Sequence, residues 1–246
     1  GGLRSLVGTR AFYKKVLLVA VPIMIQNGIT NFVSLLDNIM VGQVGTEQMS
    51  GVAIANQLVF IFNLCIFGAV AGAGILGAQF YGSGNSEGVR DTFRFKLLFG
   101  VILSAIFAVI FLTVGEPLIQ QFIHQGEGIG DLEATRSYGK AYLEVIVIGI
   151  LPFALTQCYS GTLRETGETV IPMIAGIIAV LVNLVFNYIL IFGKLGAPEL
   201  GCVGAAIATV LSRFVELAIV AGWTHKHVAR NPFIRGALRS FKIPGS

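Results

Sequence analysis

The most unusual residue in the sequence is an aspartate inside a long apolar stretch. Residues 16–41 are predominantly apolar, and a helix needs only about 20 such residues to cross a bilayer. Asp37 lies inside this stretch, with Gln26, Asn27 and Asn31 on preceding turns. An ionised side chain at membrane depth costs between about 2.5 and 17 kcal/mol by different methods, so such residues usually face a polar interior or a water-filled path. We expect the three amides to line or support such a path.

Two amides and a hydroxyl on other apolar stretches are predicted to lie at the depth of Asp37. With a rise of about 1.5 Å per residue, Asn183 and Asn187 fall late in an outward-running helix, and Thr209 falls early in an inward-running one. Asn183 and Asn187 are four residues apart and share a helix face. Ala205 and Thr209 have the same spacing.

The side-chain oxygens of these residues can coordinate a hard cation. They can equally serve as hydrogen-bond partners for a carboxylate that gains and loses a proton. The spacing therefore predicts a cation or proton site. The candidate Na+ ligands are Asp37, Asn183, Asn187 and Thr209.

Other polar residues of the apolar stretches allow simpler interpretations. Asn56 and Gln57 are expected at the same depth as Asp37, but hydrogen bonds between helices would explain such amides equally well. Arg213 and Glu216 are three residues apart and are expected to pair with each other. The three histidines fall in connections or in the C-terminal tail, away from any buried serine or cysteine, so an intramembrane enzyme is disfavoured.

A bundle of membrane helices is needed to position these residues. Of the 246 residues, 54% are hydrophobic and 12% are charged, whereas a soluble domain carries about 25% charge. The sequence therefore predicts an all-α, polytopic membrane protein with the lipid bilayer as its surroundings. The six predicted spans are 15–40, 52–79, 95–115, 139–160, 169–193 and 203–223. Turns are expected at 81–85, 115–117, 161–167 and 193–201. Pro22 removes one backbone donor and favours a bend in the first helix.

Lysine and arginine are distributed unequally between the two sides of this bundle, and the poorer side holds only Arg136, Lys140 and Lys194. The positive-inside rule then places both termini in the cytoplasm. The predicted parts are a cytoplasmic segment 1–14, a six-helix lobe 15–223 and a basic cytoplasmic linker or tail 224–246. The connection 116–139 would be external and contain short interfacial helices. Lys96 and Arg164 are assigned to the cytoplasmic side, so Arg213 is the only basic residue expected deep in a span.

Several motifs, taken together in this order, resemble one transporter family. The stretch from Pro22-Ile23-Met24 to Asp37-Asn38-Ile39-Met40-Val41-Gly42 resembles the first helix of multidrug and toxic compound extrusion (MATE) transporters. Asn56-Gln57 and residues 78–84 resemble the start and end of the second helix. Residues 161–169 resemble the fourth connection, and residues 183–188 and 201–206 resemble the fifth and sixth helices.

The resemblance covers residues 10–223 and implies an exporter of small organic, often cationic, compounds. Inward flow of Na+ or H+ would drive export, with no other cofactor and no nucleic-acid partner. Asp37, Asn183, Asn187 and Thr209 would form the coupling site of an N-terminal lobe. Some members carry an acid where this chain has Asn187, which leaves Asp37 as the only acid of the set. The family has twelve helices in two lobes, so a second six-helix lobe, or a second copy of this chain, is the expected partner.

Two other transporters fit the same pattern of six spans. One is an unrelated six-helix channel or carrier that works as a homodimer. The other is a lipid-linked sugar flippase, whose cavity would be lined by basic residues that meet phosphates. The single deep arginine expected here favours the drug exporter over the flippase.

Overall fold

Six long helices make up the computed structural model, which describes residues 7–123 and 131–238. They are α1 (Arg10–Val44), α2 (Thr46–Gly82), α3 (Ser86–Phe122), α4 (Leu132–Glu165), α5 (Val170–Phe192) and α6 (Cys202–Lys226), followed by a short 3-10 helix at Pro232–Ile234. All six are long and apolar enough to cross a membrane, and the two described ranges contain no strand. The all-α, multi-pass fold with six membrane helices is thus confirmed.

Helices α1, α3 and α4 begin before the apolar stretches that predict them, at 10, 86 and 132 instead of 15, 95 and 139, and a polar residue caps each of these starts. Thr9, Asn85 and Asp131 each accept a hydrogen bond from backbone N–H groups in the first turn of α1, α3 and α4. Such caps satisfy donors that the helix itself leaves unpaired. As a result α1 begins at Arg10, inside the segment 1–14 that was expected to precede the bundle.

The predicted turn at 115–117 is wrong, because α3 continues through Gly115 and Pro117 to Phe122. Gly115 has a packing role instead: a Cβ there would lie 2.9 Å from a methyl group of Leu143 on α4. Residues 116–122 and 132–139 extend α3 and α4, so within the described part of the predicted connection there is no separate interfacial helix. Residues 124–130 lie outside the described ranges.

Helix α4 is the centre of the bundle, since it packs against α2, α3 and α6, while α5 packs on α6 and α1 packs mainly on α5. Close approach of α2 and α4 depends on glycine, because a Cβ on Gly51 would lie 2.7 Å from the backbone nitrogen of Gly139. Helix α1 is peripheral and buries only Val33 and Val41. Its position on the bundle therefore depends on a small number of contacts.

The chain after α6 folds back onto the first turns of α3. Arg90 donates to the carbonyls of Pro232 and Phe233, and Arg94 donates to those of Gly236 and Ala237, over 2.6–3.2 Å. The Phe233 ring is buried and lies 5.5 Å from the ring of Phe93. Part of the predicted linker or tail 224–246 is thus attached to the bundle. Residues 239–246 lie outside the described ranges.

Candidate functional site

A polar cavity of about 290 Å³ lies where α1, α2, α4, α5 and α6 meet. Its lining residues are Ser34, Asp37, Asn38, Val41, Val52, Asn56, Tyr142, Asn183, Asn187, Ala205 and Thr209. Asp37, Asn56, Asn183, Asn187 and Thr209 were predicted from the sequence to lie at one depth, and Ala205 was predicted to share a helix face with Thr209. The structure brings all six together.

The close packing of α5 against α6 sets the distance between the amides and the hydroxyl. Gly204 permits this approach, because a Cβ there would lie 2.7 Å from the backbone of Leu190. The start of α6 is fixed by Gln48 of α2, whose side-chain oxygen accepts a hydrogen bond from the N–H of Cys202 at 2.9 Å. Asn187 and Thr209 therefore project into the cavity from two helices held in contact over several turns.

Asp37 has a neutral hydrogen-bond partner. The side-chain N–H of Asn187 on α5 donates to one carboxylate oxygen of Asp37 on α1. Asn187 is buried and Asp37 is half-buried. Among the ion pairs of the described residues none involves Asp37. Because a buried carboxylate is costly without a counter-charge, this carboxylate is suited to binding a cation or a proton.

Two amide oxygens beside Asp37 have no hydrogen-bond donor in the described part of the chain. They are the side-chain oxygens of Asn183 and Asn187, and both are buried. A buried acceptor without a partner costs about 1–3 kcal/mol, so such atoms need an explanation. The hydroxyl of Thr209 donates to the carbonyl of Ala205 at 3.0 Å and keeps lone pairs available. One carboxylate, two amide oxygens and one hydroxyl form a donor set that fits Na+, a hard cation.

Three polar lining residues were not predicted as site residues by the sequence analysis, namely Ser34, Asn38 and Tyr142. Tyr142 of α4 is buried, and its hydroxyl donates to the side-chain oxygen of Asn56 at 3.2 Å. The sequence contained a signal for Tyr142. It comes shortly after the predicted external start of the fourth span, just as Asn56 comes shortly after the predicted external start of the second span. Ser34 lies three residues before Asp37 and hence on the same helix face.

Four predicted polar residues do not line the cavity. Asn27, Asn31 and Gln57 lie exposed on the surface of the bundle. Gln26 points elsewhere and accepts a hydrogen bond from Arg164 at 3.1 Å. Pro22 lies inside α1, which is helical on both sides of it; a bend at this residue stays a prediction.

The predicted pairing of Arg213 with Glu216 is wrong. No ion pair within 4.0 Å joins them among those of residues 7–123 and 131–238. The Arg213 guanidinium instead lies 4.9 Å from the centre of the Phe153 ring and 3.4 Å from the carbonyl of Gly149, both on α4. Arg213 therefore contacts the central helix, where a cation–π contact replaces the ion pair.

Arg213 is also not the only basic residue inside the bundle, contrary to expectation. The Lys96 side chain on α3 is fully buried and lies 2.6 Å from a carboxylate oxygen of Glu165 on α4. It also donates to the hydroxyl of Thr162 at 3.1 Å. Glu165 in turn lies against Gly77 of α2, where a Cβ would clash with its carboxylate. This ion pair holds three helices together, away from the cavity at Asp37.

Comparison with known proteins extends these observations. The MatE family model matches residues 22–189, more than half of the chain. A probable multidrug resistance protein NorM of Thermotoga maritima is 33% identical over 208 residues, which are 84% of this chain and 43% of the relative. A multidrug resistance protein NorM of Vibrio parahaemolyticus is 27% identical over 83% of this chain and 43% of its own length. The chain thus spans about half the length of these curated relatives.

Solved structures share the fold. The outward-facing structure of a multidrug resistance MATE family transporter of the MOP superfamily matches with a TM-score of 0.77 and 24% identity, over 93% of this chain and 48% of that one. A MATE structure in complex with MaD3S gives a TM-score of 0.78 over the same share of this chain and 49% of its own. The names of all these proteins are those of transporters or resistance proteins and not of enzymes. The family model, which matches more than half of the sequence, shows that the chain belongs to the MatE family.

Proposed function

We propose that this chain is the cation-coupling lobe of a secondary active antiporter that exports small organic, mainly cationic, compounds. The observation that carries the proposal is the Asp37 carboxylate, held by the neutral amide of Asn187 next to two buried amide oxygens that have no donor among residues 7–123 and 131–238. A cation or proton in this cavity would neutralise the carboxylate. The names of the relatives, as multidrug resistance proteins, support drug export.

Na+ and H+ place different demands on the cavity. Na+ needs several oxygen ligands around an ionised carboxylate, whereas a protonated carboxyl needs one acceptor for its O–H. The two buried oxygens of Asn183 and Asn187, together with the hydroxyl of Thr209, supply more acceptors than one proton requires. We therefore favour Na+ as the coupling ion and keep H+ as the alternative for the experiment to decide.

A second body, which is another six-helix lobe or another copy of this chain, is proposed to cover the exposed amides of Asn27, Asn31 and Gln57. These amides are exposed although their helices cross the membrane, and polar groups facing hydrocarbon are unfavourable. Alternating access also needs two bodies that move against each other. The partner is either a second six-helix lobe or a second copy of this chain, and the half-length match to the relatives favours the former. The substrate would pass between the two bodies, with both ends of this chain in the cytoplasm.

The flippase alternative receives less support from the cavity. Of the described residues that line it, none is basic, and among the basic residues inside the bundle Lys96 is already paired with Glu165. A phosphate-bearing lipid would meet the carboxylate of Asp37 there, which repels it.

The test measures the efflux of a fluorescent organic cation, driven by a Na+ or H+ gradient, by this chain together with the proposed second lobe or second copy. Asp37→Asn keeps the size of the side chain but removes the charge, so efflux driven by a Na+ or H+ gradient should be abolished while expression stays normal. The matched control is Glu133→Gln, which alters an acid whose side chain is 85% exposed on α4. Normal driven efflux from the Asp37→Asn protein would refute the proposal.

A further inference from the structure

A wide groove of about 1040 Å³ lies between the first turns of α1 and the start of α5. Near the start of α1 its wall is basic and contains Arg10 and Lys14. Further along α1 the wall is apolar and contains Leu17 and Val21, with Val170 of α5 opposite them. The groove shares no lining residue with the polar cavity of the candidate coupling site. It is therefore a separate feature of the lobe, with a charged end and an apolar end.

The basic end of the groove has no anionic partner in the described part of the chain. Arg10 and Lys14 are four residues apart and share a helix face, where like charges repel each other. Neither forms an ion pair within 4.0 Å among residues 7–123 and 131–238. Helix α1 cannot supply a partner at this end, because residues 1–36 contain no acid. The positive charge of the groove is thus available to an anion from outside the chain.

One acid precedes α5, but it has another role. The carboxylate of Glu168 accepts hydrogen bonds from the N–H groups of Val170 and Ile171 at 3.2 and 3.4 Å. It satisfies donors that the first turn of α5 leaves unpaired. Glu168 does not line the groove, and among the ion pairs of the described residues none involves it.

A hydroxyl adds a neutral donor to the basic end. Tyr13 lines the groove between the two basic residues in sequence. Its oxygen accepts a hydrogen bond from the N–H of Gly8 at 3.1 Å, which leaves its own O–H free to donate. A guanidinium, an ammonium and a phenol are all donors suited to phosphate oxygens.

The apolar end of the groove opens onto an apolar side of α1. At 3.6 residues per turn, Val21, Phe32 and Ile39 lie within about 20° of one another around the helix axis, and all three are exposed. Asn27 and Asn31, which we propose to contact the second body, lie about 80–120° away from Val21. Lipid chains are as apolar as these exposed side chains. The groove therefore lies on the side of α1 that is suited to lipid and not on the side of the amides.

We propose that this groove binds an anionic phospholipid. The phosphate would lie between Arg10 and Lys14 and accept the O–H of Tyr13. Leu17 and Val21 are about 5 and 10 Å further along α1 than Lys14, so the acyl chains would lie over them. A phospholipid has the same order of charge and apolar surface as the groove. With the N-terminus in the cytoplasm, as the distribution of basic residues predicts, the groove faces the leaflet that contains anionic lipids.

Titration of the purified full chain in detergent with palmitoyl-oleoyl-phosphatidylglycerol, followed by native mass spectrometry, measures the dissociation constant of the first bound lipid. This lipid should bind more tightly than the zwitterionic palmitoyl-oleoyl-phosphatidylcholine. Lys14→Gln should raise its dissociation constant about fivefold, the contribution of one basic residue to binding of anionic lipid. Lys15→Gln is the matched control, since Lys15 is exposed and adjacent but does not line the groove. It should leave the constant unchanged.

A second pair of variants tests the apolar end without altering charge. Val170→Trp fills the groove from α5 and should weaken binding of phosphatidylglycerol, so the proposal stays testable if Lys14→Gln does not fold. Val185→Trp, at an exposed position of the same helix outside the groove, should not weaken it.

Three results would overturn the proposal. Equal dissociation constants for Lys14→Gln and Lys15→Gln would show that the lipid responds to surface charge alone. Unchanged binding by Val170→Trp would show that the acyl chains do not enter the groove. Competition by glycerol phosphate at the concentration of the lipid would indicate a site for free phosphate compounds instead. Lipid binding is measured without transport, so these outcomes are independent of whether Asp37→Asn retains efflux.

Discussion

At the scale of single residues, the chemistry of the cavity depends on how few partners the Asp37 carboxylate has. Asn187 contributes twice, because its N–H group orients the carboxylate and its oxygen is one of the two buried acceptors of the cavity that lack a donor in the described part of the chain. Thr209 and Asn183 complete the set from α6 and α5. The arrangement is polar but neutral apart from one acid, which is what a reversible site for a single positive charge requires.

Asn187→Ala should weaken cation binding without abolishing it. The substitution removes one oxygen ligand and one hydrogen bond to the carboxylate, each of which contributes about 1 kcal/mol or more. We expect the dissociation constant for Na+ to rise by about tenfold or more, since 1.4 kcal/mol corresponds to a factor of ten. Titration of the purified chain with Na+ measures this change. Asn31→Ala, at an exposed amide of α1, is the control, and an equal effect of both substitutions would contradict the assignment.

Several of these residues could be predicted from the sequence, for identifiable reasons. Asp37, Asn187 and Thr209 follow from helix rise and spacing, which fix depth and face once a span is recognised. The pairing of Arg213 could not be predicted, because the competing contacts come from Gly149 and Phe153 on another helix. The burial of Lys96 likewise could not be predicted: the charge distribution assigned Lys96 to the cytoplasmic side, and its partner Glu165 is distant in sequence.

At the scale of helices, glycine-mediated approach and the buried ion pair are two of the contacts that hold the bundle together. The turn predicted at 115–117 shows how these contacts override local signals. Glycine followed closely by proline usually marks a turn. In α3 it lies within a helix because packing of Gly115 on α4 stabilises the helical conformation. Helix existence could thus be predicted from hydropathy, whereas helix length depended on contacts between helices.

Gly51→Ala should destabilise the bundle, because the added methyl group would meet the backbone of α4 at Thr135 and Gly139. Overpacking of this kind costs about 1–3 kcal/mol. Gly68→Ala is a matched control in the same helix, since a Cβ at this position has no atom within 4 Å. Thermal unfolding in detergent should show a lower midpoint for Gly51→Ala and an unchanged or higher one for Gly68→Ala. Equal midpoints would show that α2 and α4 do not approach as described.

Removing one charge of the buried Lys96–Glu165 ion pair should lower the free energy of unfolding more than removing both charges. Glu165→Gln leaves the ammonium group of Lys96 buried without a counter-charge, and breaking such a pair typically costs about 3–5 kcal/mol. The double variant Lys96→Met/Glu165→Gln removes both charges and should be closer in stability to the unmodified chain. Chemical denaturation of the unmodified chain, of Glu165→Gln and of the double variant tests this order of stability. A double variant less stable than Glu165→Gln would contradict it.

At the scale of the whole molecule, the account depends on orientation in the membrane. The excess of basic residues near the termini predicts that both lie in the cytoplasm. A cysteine at Leu132, an exposed residue at the start of α4, should then react with an impermeant reagent added to intact cells. A cysteine at Lys226, the exposed end of α6, should not. Cys65→Ser removes the exposed native thiol from both proteins, and the reverse labelling pattern would overturn the orientation.

The central claim is that Asp37 binds the cation that drives transport, and equilibrium binding of radioactive Na+ to the purified chain tests it most directly. We predict one saturable site, lost in Asp37→Asn and retained in Glu133→Gln. If H+ is the coupling ion, Na+ binding is absent and the infrared band of the Asp37 carboxyl changes with pH instead. Unaltered Na+ binding by Asp37→Asn would contradict the claim, as would a chain that shows neither Na+ binding nor a change in the protonation of Asp37.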